Sequence, residues 1–262
     1  MALALGIGMM GYGGGRLLEA EQIYREGSAV YEDLSGQVRK SVSAALPPTH
    51  ENIENTQIME TPQEKEAQKA QVYIPKYEID FGVLKSVNKD AAAWLYCPDT
   101  VIDYPVMRAD DYSYYLNHLP DGTVNGNGSL FIDYNCASDF SEPLTVVYGH
   151  HMKSGNMFGS LVGYKGQKYY EEHPFMYLYT EHGNYRIDVL YGCIIGAGQW
   201  RARAFMCAEN IDALLAYAAH NTTFESEAAY SEGDRLIAMS TCSYEFNDAR
   251  YVVIGILKAE YE

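Results

Sequence analysis

The chain has 262 residues, 47% hydrophobic and 21% charged, the balance of a globular protein rather than a disordered one. Lys and Arg number 19 against 35 Asp and Glu, a formal charge of −16. That excludes a non-specific nucleic-acid binder and docking on anionic lipid through a basic patch, since both need clustered cations. A surplus of Tyr (24) and Gly (23) favours β structure with many turns over a helical bundle.

Residues 1–15 carry no charge, and Ala2 to Met10 is continuously small or apolar. A spanning helix needs about 20 apolar residues, more than this stretch supplies. Three readings stay open: part of a membrane anchor incomplete in this chain, a degenerate signal segment, or an apolar tail. From Leu17 to Arg39 the residues Ile23, Val30, Tyr31, Leu34 and Val38 recur at helical spacing and predict a helix with one apolar stripe. Ala44 to Gln71 is polar and acidic, with Pro47, Pro48 and Pro62, and reads as a linker. The expected organisation is thus an apolar segment (1–15), a helix and acidic linker (16–71), and a compact domain starting near Val72 (72–262).

Within that domain β-branched and aromatic runs predict short strands at Ser129–Asp133, Thr145–Tyr148, Phe175–Tyr179, Tyr185–Ile195, Leu236–Ser240 and Tyr251–Leu257. Turn signals such as Asp121-Gly122, Asn125-Gly126 and Asn184 separate them, as in a barrel or sandwich. Two segments break the pattern. Met157 to Tyr170 predicts a short helix, and Ala208 to Ala219, with Ile211, Leu214, Leu215 and Ala218 on one face, predicts another.

Several sharper-looking features carry no site. The five Cys, at 97, 136, 193, 207 and 242, are odd in number and contain no Cys-x-x-Cys pair, which excludes a zinc ribbon or a dense disulfide scaffold. His150 and His151 are adjacent and point to opposite sides of an extended chain, so they are poor joint metal ligands. Asp121 to Gly128 superficially resembles a calcium loop, but Thr123 stands at its third position and Ile132 at its twelfth. Gly11 to Gly15 follows no strand and precedes no Gly-Lys-Ser/Thr, so it is no phosphate loop. No metal and no cofactor is expected.

The chemistry gathers at three strand ends. His150 follows the strand ending at Tyr148, Cys242 follows the strand from Leu236, and Arg250 opens the last strand. Only seven residues, Ser243 to Ala249, separate Cys242 from Arg250, so the two strands are expected to be antiparallel neighbours with these residues side by side. A thiolate is a nucleophile, an imidazole can take and return its proton, and a guanidinium can bind an oxyanion. Spacing alone leaves open whether Cys242 is that nucleophile or a buried structural thiol.

The segments Tyr148-Gly-His-His-Met152 with Met157-Phe-Gly159, and Ser240-Thr-Cys-Ser-Tyr-Glu-Phe246 followed by Arg250, resemble the sortases, class B in particular. So do Ile102-Asp-Tyr-Pro-Val106, Tyr114-Tyr-Leu-Asn-His118 and Gly128-Ser-Leu-Phe-Ile-Asp133. The resemblance covers roughly Tyr73 to Lys258. It implies a mainly β fold: an eight-stranded barrel with an N-terminal helix and an inserted helix near 208–219. It implies a cysteine transpeptidase of the Gram-positive envelope, anchored in the membrane with its domain outside. Such an enzyme cleaves a sorting signal after Thr, holds the surface protein as a thioester and passes it to an amine of a peptidoglycan precursor. Carried over, Cys242 is the nucleophile, His150 the general acid/base and Arg250 the oxyanion or substrate clamp, while Ser240 and Leu116 line the substrate groove. Other readings stay open beside it: a silent barrel that binds a surface peptide, a cysteine peptidase that passes the acyl group to water, or a sortase that assembles pili.

Overall fold

A computed structural model describes residues 21–41, 77–108, 110–202 and 210–259. The apolar segment 1–15, the linker 44–71 and Cys207 lie outside the described residues. In chain order the elements are a helix over 21–38 (α1), β1 (Arg39–Ser41), β2 (Tyr77–Ile79), α2 (Phe81–Val87), β3 (Ala91–Tyr96), β4 (Asp103–Arg108), β5 (Leu130–Ile132), β6 (Leu144–Tyr148), α3 (Gln167–Glu172), β7 (Phe175–Thr180), β8 (Gly183–Gly196), α4 (Ala197–Arg201), α5 (Ile211–Asn221), β9 (Arg235–Cys242) and β10 (Ala249–Ala259). Single 3-10 helices occupy Tyr114–Leu116 and Phe158–Lys165.

Eight strands close into a barrel in the order β10-β8-β7-β3-β4-β5-β6-β9. Most neighbours are antiparallel. The β4–β5 and β6–β9 pairs are parallel. The strands β6, β9 and β10 are buried along nearly their whole length, on both faces, which is why they read as continuous apolar runs rather than as alternation. Phe158, Leu161 and Tyr164 of the second 3-10 helix join the core that these strands and β8 enclose. The expected helix over 157–170 is therefore corrected: the segment is a 3-10 helix followed, after Gly166, by the short α3. The inserted helix is α5, with Ile211, Leu214 and Ala218 buried at helical spacing.

Two barrel strands escape the sequence pattern. The first half of β3 is Ala-Ala-Ala, a poor strand former, and β4 carries Pro105. Pro105 is tolerated because β5 pairs with β4 only from Val106 onward, so the missing N–H falls where one side of β4 has no ladder.

A second apolar cluster lies under the helices. Leu34 and Val38 of α1 and Leu84 of α2 pack on Trp94, Met107, Phe131, Tyr177 and Tyr179. Full burial of each Leu or Val contributes about 1.5–3 kcal/mol, which seats α1 on the barrel. Polar ties complete the seat. Arg39 pairs with Asp103, which also accepts from Trp94 Nε1 at 2.7 Å. Asn125 Nδ2 donates to the Ile23 carbonyl at 3.0 Å. A Cβ at Gly27 would lie 2.2 Å from Asn127 Nδ2, so glycine alone lets α1 approach this loop so closely.

Candidate active site

The strands bring the three chemical residues to one end of the barrel. In the parallel β6–β9 pair, Tyr148 stands opposite Ser240. The pairing continues past the strands: Gly149 N donates to the Ser240 carbonyl at 3.2 Å, and Thr241 Oγ1 donates to the Gly149 carbonyl at 2.9 Å. His150 and Cys242 thus leave the sheet at the same end, each two residues beyond the paired Tyr148 and Ser240. In the antiparallel β9–β10 pair, Arg250 is directly opposite Cys242. Opposed residues of a ladder project to the same face with Cβ atoms about 4.5–5.5 Å apart. The expectation drawn from the seven-residue connection is met.

Each side chain is held by named partners. His150 Nε2 lies 2.7 Å from the Leu116 carbonyl oxygen. A carbonyl only accepts, so Nε2 carries the hydrogen and Nδ1 is the nitrogen free to take a proton. Arg250 Nη1 donates to the Ala249 carbonyl at 3.0 Å, and among the described residues the guanidinium has no carboxylate partner. Its remaining donors are available to an incoming oxyanion. Leu116 reaches the site through its backbone as the anchor of His150. Ser240 is 1% exposed, and its Oγ has no partner among the described residues.

The four described cysteines separate cleanly. All are free thiols, and only Cys242 is partly exposed. Burial pushes the thiols of Cys97 and Cys136 up to about 11 and that of Cys193 up to about 12. These three stay protonated and inaccessible near neutral pH, as small hydrophobes should.

Three further groups support the site. His151 donates from Nδ1 to the Cys242 carbonyl at 2.7 Å and leans on the Tyr244 ring, centroids 5.0 Å apart. Lys165 ties down the loop between Cys242 and Arg250: its Nζ donates to Ser243 Oγ at 2.9 Å and pairs with Glu245. Burial raises the Glu245 carboxyl, but hydrogen bonds from Lys165 and Ser243 outweigh it and hold the group at about 2. Finally, the fully buried Asp133 accepts from Tyr148 at 2.9 Å, from Tyr112 at 3.2 Å and from Asn135, fixing the strand end that leads to His150. An Asp closing the apolar strand Leu130-Phe-Ile132 was the one sequence signal for it.

No protein-family model matches the chain. A curated relative, sortase B of Listeria monocytogenes, is 30% identical over 177 residues, covering 66% of this chain and 72% of the relative. Sortase B of Staphylococcus aureus is 24% identical over 200 residues, covering 74% and 82%. Among solved structures, sortase B from B. anthracis superposes with a TM-score of 0.68 at 21% identity, covering 91% of this chain and 99% of that one. These structures share the barrel fold.

Proposed function

The chain belongs to the class B sortases, cysteine transpeptidases with a role in cell-wall anchoring, and from that premise we propose how its own residues carry the reaction. The observation that carries the proposal is the Cys242–Arg250 pair of the β9–β10 ladder, with His150 leaving β6 at the same end.

Cys242 Sγ attacks the carbonyl carbon of the Thr of a sorting signal, and its proton goes to His150 Nδ1. The carbonyl oxygen becomes an oxyanion, which the Arg250 guanidinium binds. A donor of this kind is worth about 3 kcal/mol, some 10²-fold in rate. The C–N bond breaks, the leaving amine takes the proton from His150, and a thioester remains on Cys242. An amine of a peptidoglycan precursor then attacks the thioester, its proton passes to His150, and Sγ departs with that proton restored. The proton balance closes over the two half-reactions with no cofactor. Leu116, partly exposed, lines the groove that receives the signal, whereas Ser240, 1% exposed, offers it no surface.

The enzyme works on surface proteins at the outer face of the Gram-positive cell membrane, held there through the apolar residues 1–15. Their apolar composition supports this reading. Among the described residues no helix is long and apolar enough to cross a membrane.

The test is mass spectrometry of the protein with a panel of Pro-x-Thr and Asn-Pro-x-Thr peptides. The expected result is an acyl adduct on Cys242, absent from Cys242→Ala and discharged by an added amine. An adduct discharged equally fast by water, with no gain from amine, would make the enzyme a peptidase. No adduct together with an unreactive Cys242 would make the barrel a silent binder.

A further inference from the structure

Tyr31 lies on α1, far from the barrel end in sequence, yet its phenol is buried and its hydroxyl donates to the Gly128 carbonyl at 2.5 Å. Burial raises this phenol well above the usual tyrosine range, so it remains a donor throughout the physiological pH range. The acceptor belongs to a residue with a special place. Gly128 has φ +58, and a Cβ there would sit 2.6 Å from the Tyr115 oxygen and 2.7 Å from the Leu116 oxygen. Its backbone is therefore pressed directly on the 3-10 turn Tyr114–Leu116. The next residue bonds the same turn: Ser129 N donates to the Tyr115 carbonyl at 2.8 Å, and Ser129 Oγ donates to the His118 carbonyl at 2.9 Å. The Leu116 carbonyl is the one bonded to His150 Nε2.

A second tie runs to the other side of the same histidine. Asn156 Nδ2 donates to Ser28 Oγ of α1 at 3.4 Å. Asn156 belongs to the loop that leaves His150 and returns to it, where Phe158 N donates to the His150 carbonyl at 3.0 Å. The helix thus grips both the turn that holds the imidazole and the loop that carries its backbone.

We infer that Tyr31 is a positioning residue for His150, acting through Gly128 and the Leu116 carbonyl, so that α1 belongs to the catalytic apparatus as well as to the fold. The inference rests on the reading of His150 as general acid/base. A side chain can set a rate without touching substrate, because a displacement of about 1 Å in a catalytic group can cost 10²-fold.

The experiment compares Tyr31→Phe with Val38→Ala. Val38 is also buried on α1, in the cluster under the helices that also holds Tyr115, and its apolar side chain gives this path no hydrogen bond. Turnover of the peptide that acylates Cys242 is measured with thermal melting, and the low-field proton NMR signal of His150 Nε2–H is followed in each variant. That signal is assigned by its loss in His150→Ala. The expected result for Tyr31→Phe is a fall in kcat of about tenfold with KM within about twofold, and a shifted or broadened Nε2–H signal. Val38→Ala is expected to melt lower while keeping kcat and the signal at wild-type measured well below its melting point. The inference is overturned if Tyr31→Phe keeps both, or if Val38→Ala loses both to the same degree. The NMR signal does not depend on turnover. Normal activity in His150→Ala would therefore sink the acid/base reading while the signal still decides whether Tyr31 positions the ring.

Discussion

His151 Nδ1 is hydrogen-bonded to the carbonyl oxygen of Cys242 at 2.7 Å. The imidazole next in sequence to His150 therefore grips the backbone of the thiol residue itself. Two adjacent histidines divide the site between them: one is anchored on Leu116 with Nδ1 free, the other holds β9 against the loop that follows β6.

This division predicts unequal losses. His150→Ala should cost about 10²–10⁴-fold in kcat, the span of general acid/base catalysis. His151→Ala should cost about fivefold, the worth of one hydrogen bond of about 1 kcal/mol. Steady-state kinetics on both variants decide it, and the reverse order would move the base by one position.

Arg250→Lys should lower kcat/KM by about 10²–10³-fold with the fold intact, because a point charge on a flexible stem does not reproduce a planar fork held opposite Cys242. Circular dichroism establishes the fold and kinetics the loss. Near-normal turnover would reduce Arg250 to a surface cation.

Thiol labelling should be selective. In a Cys207→Ser background four cysteines remain, of which Cys97, Cys136 and Cys193 are buried. A small methanethiosulfonate reagent should add one label to the native protein and four after unfolding, read by intact mass. Two rapid labels in the native state would contradict the burial of the other three thiols.

The Lys165–Glu245 tether sets a pH dependence. The folded carboxyl sits at about 2, below its unfolded value of about 4.3, so the stability it contributes is present above about 4.3 and lost as pH falls toward 2. Glu245 is partly exposed, so solvent screening keeps the effect modest. Wild-type should melt above Glu245→Gln at pH 6, and the two should converge as pH approaches 2. A gap that stays constant across that window would show that the tether has no role.

How much of this was legible beforehand follows from the range of each interaction. The strands β6, β9 and β10 are dense in Val, Ile and Leu, and the short link from Cys242 to Arg250 leaves an antiparallel pair as its simplest solution. Both are local signals. The strand β3 is hidden by three alanines and β4 by Pro105, because their strand character comes from barrel neighbours rather than from propensity. The supports of the site are further removed. Tyr31 meets Gly128 across 97 positions and His151 meets the Cys242 carbonyl across 91, and no periodicity records such a meeting. Backbone acceptors compound this, since the carbonyl of Leu116 that anchors His150 is a group every residue carries.

The parallel pairing of β6 with β9 has a consequence for when the enzyme comes into being. Parallel neighbours cannot be joined by a tight turn, and here everything from Gly149 to Asp234 lies between them. Contacts of such separation form late, after their chain-closure entropy has been met by the rest of the domain. A still extended chain therefore holds its thiol and its imidazole far apart, unable to act as a pair. Reactivity arrives with the last two strands, in the same event that completes the folded protein.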